Sequence, residues 1–200
     1  MKIVLASNNK GKLAELHAMF APLGLELASQ ADLGIPEAAE PYRTFVENAL
    51  AKARHAAQHS GLASVADDAG LCVDAFDGLP GVDTAFYATQ FGYAKSDDNN
   101  VIALLEQMRN VSNRRAAMVS TLVAVRTPSD PEPLIAVGRV VGEITREPAG
   151  SNGFGFDPVM WLPEFGKTFA QLPVDVKNAN SHRGRAARAM VALMRERWSV

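Results

Sequence analysis

The chain has one cysteine, Cys72, so no internal disulfide is open to it, and this usage fits a reducing compartment. Cys72 stands in the apolar run Leu71-Cys72-Val73, which reads as a buried thiol with a packing role. The net charge is only −2, so no global field draws in nucleic acid, and any polyanion must be held by a local cluster. No apolar run approaches the roughly 20 residues that span a bilayer. The first residues lack the charged and apolar regions of a secretory signal. These absences point to a cytoplasmic protein with neither a membrane nor a nucleic-acid partner. Internal repeats, low-complexity tracts and an evident interdomain linker are also missing.

What is present suits one domain, or two lobes of one domain. The 200 residues are enough for either. Residues 2–6 read as a buried strand. A helix over 10–21 follows, with Leu13, Leu16 and Phe20 on one face, and Ser7, Asn8 or Asn9 available to cap it. Residues 25–28 read as a second strand and 29–42 as a loop. Thr44-Phe45-Val46-Glu47 is a capping box that opens a helix ending near Gly61. Its apolar face carries Val46, Ala49, Leu50, Ala53 and Ala57, while Asn48, Lys52 and His55 lie on another. Short strands at 62–66 and 71–74 flank Asp67-Asp68-Ala69-Gly70, read as a turn. A helix over 97–109 precedes two long strands, 115–126 and 134–146, which form a hairpin. Residues 148–168 read as an aromatic loop and 182–198 as a basic helix. The order implies an α/β fold with a mixed sheet.

Four segments carry chemistry. Ser7-Asn8-Asn9-Lys10-Gly11-Lys12 runs from a strand into a helix N-terminus, where free N–H groups, the helix dipole and two lysines suit phosphate. It is not a Walker A loop, since Leu13 follows the lysine where Ser or Thr belongs. Asp67-Asp68 offers carboxylates for Mg²⁺, which takes one or two of them plus substrate phosphates, and one could also take a proton from water. Glu37 or Glu40 could add a ligand, and Lys52 could neutralise charge in a transition state. Gly153-Phe154-Gly155-Phe156-Asp157 offers aromatic faces for a base and an acceptor for ring N–H groups. Lys177 and Ser181-His182-Arg183 flank the last helix start. Their donors match a keto oxygen better than an exocyclic amine.

Other patterns are decoys. His55 and His59 lie four apart, but Ala56 stands where a zinc helix needs its glutamate. Gly166-Lys167-Thr168 mimics a P-loop end without its first glycine. Arg114-Arg115 reads as a strand-edge charge pair.

With these residues in view, the chain resembles the inosine triphosphate pyrophosphatase family, the RdgB/HAM1-like noncanonical purine nucleoside triphosphate pyrophosphatases. The resemblance rests on LASNNKGKLAEL, TFVENALAKARHAA, SVADDAGLCVDAFDGLPGV, REPAGSNGFGFDP and SHRG, and covers nearly the whole chain. It implies Mg²⁺-dependent hydrolysis of ITP, dITP and XTP to monophosphate and pyrophosphate, keeping deaminated purines out of nucleic acid. It implies a homodimer and one domain over 1–200 with two lobes, a long mixed sheet flanked by helices, and a substrate cleft between the lobes. On this basis Ser7, Asn8, Asn9, Lys10, Gly11 and Lys12 hold the triphosphate. Glu40 and Asp68 bind the metal, Asp68 is also the base for water, and Lys52 sits over the phosphates. Ala69, Phe154, Gly155, Phe156, Asp157, Lys177, Ser181, His182 and Arg183 complete the substrate site, with His182 and Arg183 reading the 6-keto group. Two positions depart from the family: Ala69 stands where many relatives have Ser, and Phe156 where Tyr or Trp is usual. Two rival readings remain at this point. One is a Maf-like pyrophosphatase, whose first loop usually reads Ser-x-Ser-Pro-Arg-Arg. The other is a nucleotide sensor without turnover, which would have no need of an acidic centre.

Overall fold

The computed structural model describes residues 1–199. Its strands are β1 (Lys2–Leu5), β2 (Glu26–Ser29), β3 (Ala63–Val73), β4 (Arg115–Val125), β5 (Leu134–Ile144), β6 (Met160–Leu162) and β7 (Lys167–Thr168). The helices are α1 (Lys10–Phe20), α2 (Phe45–Ser60), α3 (Asp97–Gln107), α4 (Val174–Asn180) and α5 (His182–Trp198). The strands hydrogen-bond in the order β2-β1-β3-β4-β5-β6-β7. β1 runs parallel to β2 and β3, whereas β6 is antiparallel to β5 and β7, so the sheet is mixed as expected. No helix is long and apolar enough to cross a membrane, among the described residues.

The chain divides into two compact units. The first comprises Met1–Asp68, Ser120–Gly138 and the chain from His182; the second comprises Ala69–Val119 and Arg139–Ser181. In the first unit successive residues of β1 point to opposite sides, and each side has its own core. Ile3, Leu5 and Val65 pack with Leu16 and Phe20 of α1 and with Met190 and Met194 of α5. Val4, Ala6 and Ala66 pack against Ala49, Ala53, Ala56 and Ala57 of α2. Both early helices start on side-chain caps. The Asn9 side chain accepts from the Lys12 N–H, and that of Thr44 accepts from the Glu47 N–H. Val46, expected on the apolar face of α2, is exposed instead, since the alanine stripe already fills the contact with β1 and β3.

The first turn of α5 rests directly on β5. A Cβ at Gly138 would lie 1.9 Å from the His182 carbonyl oxygen and 2.5 Å from the Ala186 nitrogen. Gly138→Ala is therefore expected to lower stability by about 1–3 kcal/mol, seen as a fall in the denaturant midpoint with an unchanged m-value.

The second unit is built on Leu71, Val73, Leu104, Met108, Phe156, Met160 and Phe169. Here the structure corrects several expectations. β3 is one continuous strand from Ala63 to Val73, so Asp67-Asp68-Ala69-Gly70 is strand and not a turn. Residues 148–168 include β6 and β7, and residues 81–91 form a 3₁₀ segment that the periodicity did not predict. The Arg114 guanidinium is not an edge charge. It donates to the carbonyls of Met108, Ile144 and Thr145. Cys72 is half-buried, not fully buried.

Candidate active site

The acidic pair sits where β3 alternation sends its two carboxylates to opposite sides. Val65 and Asp67 share the side of α1 and α5, whereas Ala66 and Asp68 share the side of α2. The two carboxylates therefore have different partners and different chemistry.

Asp67 is fully committed. Its Oδ1 accepts from Ser120 Oγ at 2.6 Å, and its Oδ2 lies 3.0 Å from Arg183 Nε and 3.1 Å from Lys12 Nζ. Burial opposes its ionisation, but Lys12 and Arg183 outweigh burial and hold the carboxyl well below the usual range. Arg183 in turn pairs through Nη1 with Glu15, a buried residue of α1. Burial pulls the guanidinium pKa down, yet Asp67 and Glu15 more than offset this.

Asp68 is arranged otherwise. Lys52 Nζ lies 3.0 Å from Asp68 Oδ1 and 2.7 Å from Glu40 Oε2. One ammonium thus serves two carboxylates. Burial pulls the Lys52 pKa down, but the two anions raise it above its ordinary value. Asp68 gets less in return. Burial pushes its pKa up to about 6 against the pull of Lys52 and Lys12, and its Oδ2 is buried with no hydrogen-bond partner. A buried carboxylate oxygen without a donor is what an inner-sphere cation or a water proton would satisfy. Two residues after Glu40, the backbone is pinned by Asn48, whose amide accepts from the Tyr42 N–H at 3.0 Å and donates to the Tyr42 carbonyl at 3.1 Å. Asn48, on the face of α2 that carries Lys52, is buried.

Several donors of the phosphate-type loop are already engaged within the chain. Ser7 Oγ accepts from the Asn9 N–H, and Asn8 donates to Glu37. The first turn of α1 contains no acidic side chain to compete with an incoming anion. Lys10 and Gly11 begin the helix, and Lys12 reaches back to Asp67.

The second unit carries the aromatic loop. Asp157 Oδ2 accepts from the Phe154 N–H at 2.9 Å and pairs with Lys177 Nζ at 2.7 Å, both side chains being buried. Lys177 lies 5.0 Å from the centroid of the Phe154 ring, within cation–π range. A Cβ at Gly153 would sit 2.0 Å from Asp157 Oδ2, so glycine is needed for this close approach. Phe154 is half-buried and can offer a face, but Phe156, expected to line a base pocket, is 1% exposed and belongs to the core. Ser181, His182 and Arg183 are all buried at the start of α5. The Arg183 side chain pairs here with Asp67 and Glu15. Ala69 continues β3 in this unit.

One anchor of this loop was not foreseen. Asp97, in the first turn of α3, accepts from the Gly155 N–H at 2.9 Å. Asp97→Ala is expected to raise KM about 3- to 10-fold with little change in kcat, while Asp97→Asn, which can still accept, restores most of the loss. Equal falls in kcat and Tm for both variants would make Asp97 merely structural. Glu15, Asn48 and Ser120 were missed as well.

Comparison with known proteins agrees over the whole length. The Ham1 family model matches residues 3–193. The chain is 82% identical over 198 residues to a dITP/XTP pyrophosphatase of Albidiferax ferrireducens, covering 99% of this chain and 100% of that one. It is 76% identical over 198 residues to a dITP/XTP pyrophosphatase of Paracidovorax citrulli, with 99% and 100% covered. The solved structure of a HAM1 protein from Coxiella burnetii matches with a TM-score of 0.91 at 39% identity, over 98% of this chain and 99% of that one. A family model over most of the chain and full-length relatives at high identity agree, and the chain belongs to the Ham1 family.

Proposed function

We propose that the chain hydrolyses noncanonical purine nucleoside triphosphates, ITP, dITP and XTP, to the monophosphate and pyrophosphate with Mg²⁺, and so keeps them out of nucleic acid. The similarity to proteins named dITP/XTP pyrophosphatase supports the reaction class. The observation that carries it is Lys52 shared between Glu40 and Asp68, with Asp68 Oδ2 buried and unpartnered.

Glu40 and Asp68 fit a hard divalent cation that completes its shell with water and substrate phosphates, since two carboxylates do not make an all-protein cage. When bound, the ion would neutralise charge on the phosphate oxygens. The chain's own groups do the rest. Ser7, Asn8, Asn9, Lys10, Gly11 and Lys12 take the phosphates at the N-terminus of α1. Lys52 balances negative charge as it develops, and Asp68 accepts the proton of the water that attacks the α-phosphorus. In the metal-free chain, burial already sets this carboxyl above the ordinary carboxylate range, which suits a proton acceptor. In the second unit Phe154 takes the base face, while Asp157 and Lys177 set its edge contacts, with Ser181 four residues after Lys177. His182 and Arg183 open α5, where Arg183 acts through Asp67. We also infer a cytoplasmic homodimer that handles free nucleotides.

A nucleotide panel with pyrophosphate detection tests this. ITP, dITP and XTP are expected to release pyrophosphate at kcat/KM values at least about 100-fold above ATP, and EDTA should abolish release until Mg²⁺ is restored. Release of orthophosphate, a preference for pyrimidine nucleotides, or turnover that survives EDTA would overturn the reading.

A further inference from the structure

The second unit contains a separate cavity of about 350 Å³ that shares no residue with the site above. Its apolar wall is Ile102, Leu105 and Met108, and its charged lining is Arg109, Arg114 and Arg146 with Glu106. Arg114 forms a fixed platform. Its Nε, Nη1 and Nη2 donate to three backbone carbonyls at 2.6, 2.9 and 2.7 Å. Those acceptors are neutral, so its positive charge stays uncompensated. Neither Arg109 nor Arg146 makes an ion pair among the described residues. Glu106, the one acid, already accepts from the Tyr93 hydroxyl at 2.8 Å. Three guanidinium groups against one carboxylate leave a formal charge of +2 around the cavity. Burial, and to a lesser degree the like charge of Arg146, lower the Arg114 pKa.

We infer that this cavity binds a small organic phosphomonoester, its dianionic head on Arg109, Arg114 and Arg146 and its apolar body along Ile102, Leu105 and Met108. The head matches the charge of the lining, and planar guanidinium groups suit phosphate oxygens. The volume falls within the range of small-molecule sites, with room for more than a bare phosphate. The inference is independent of the pyrophosphatase reading.

The test is a titration of the full chain with phenyl phosphate and with inorganic phosphate, followed through backbone amide shifts. Saturable shifts are expected at residues 102–109, 114 and 144–146, with phenyl phosphate binding about 10-fold tighter than inorganic phosphate. The double variant Arg109→Gln, Arg146→Gln should weaken phenyl phosphate at least about 10-fold. Its Tm and triphosphate turnover should stay at wild-type values. Shifts confined to residues 7–12, 52 and 67–68, or binding unaltered in the double variant, would overturn the site. Equal affinity for the two probes would overturn the assignment to an ester.

Discussion

Asp68→Asn should lower pyrophosphate release by about 10²- to 10⁴-fold, the range for loss of a general base, while nucleotide still binds. The same variant should make the metal-free protein more stable at pH 8. Burial raises the Asp68 pKa from 3.8 to about 6 in the folded chain. A carboxyl with a raised folded pKa favours the fold when protonated. That contribution is complete below about pH 4 and is lost as pH climbs through 6. At pH 8 the ionised side chain is therefore a net cost. Asparagine removes the charge, keeps an oxygen for Lys52, and should recover about 1–3 kcal/mol, less whatever Lys52 loses with its partner. Calorimetry in chelator at pH 8 and pH 4 reads this directly: a gain at pH 8 that shrinks toward pH 4. Near-normal turnover would remove Asp68 from the mechanism. Lost turnover with lower stability at pH 8 would mean that the variant simply unfolds the site.

The local signals behind this site were readable because they are local. A strand followed by a capping asparagine and two lysines specifies a helix N-terminus within six residues, and Thr44 with Glu47 does the same for α2. The acidic pair was readable as a site, but not as strand. Adjacent aspartates before Ala-Gly look like a turn, since local propensity disfavours Asp in a strand. What makes β3 continuous is distant. Lys12 comes from 55 residues earlier and Arg183 from 116 residues later to compensate Asp67, and no sequence window contains them. The aromatic loop failed in a different way. Phe154 and Phe156 are equivalent by composition, and only the core around Met160 and Phe169 decides which one is swallowed. Glu15 carries no local signal either. Its partner is 168 residues away.

That partner sets the second large effect. Arg183→Ala should lower stability by about 3–5 kcal/mol, because it leaves two buried carboxylates short of a counter-charge. Arg183 is 3% exposed at its side chain and Asp67 is 0%, so solvent screens little of this. For a chain of this length the loss corresponds to a Tm drop of roughly 10 °C. Glu15→Gln alone should cost less, since Asp67 still balances the guanidinium. The double variant should be less destabilised than the sum of the singles, with a coupling of about 1–3 kcal/mol. Catalysis distinguishes the two roles open to Arg183. With the guanidinium gone, Lys12 is the only cation left on Asp67 and is drawn away from phosphate. KM should then rise for every triphosphate alike, and the ratio of kcat/KM for ITP over ATP should hold within about threefold. A guanidinium that read the 6-keto group would behave in the opposite way: an unchanged Tm and a collapsed ITP preference would return Arg183 to the base.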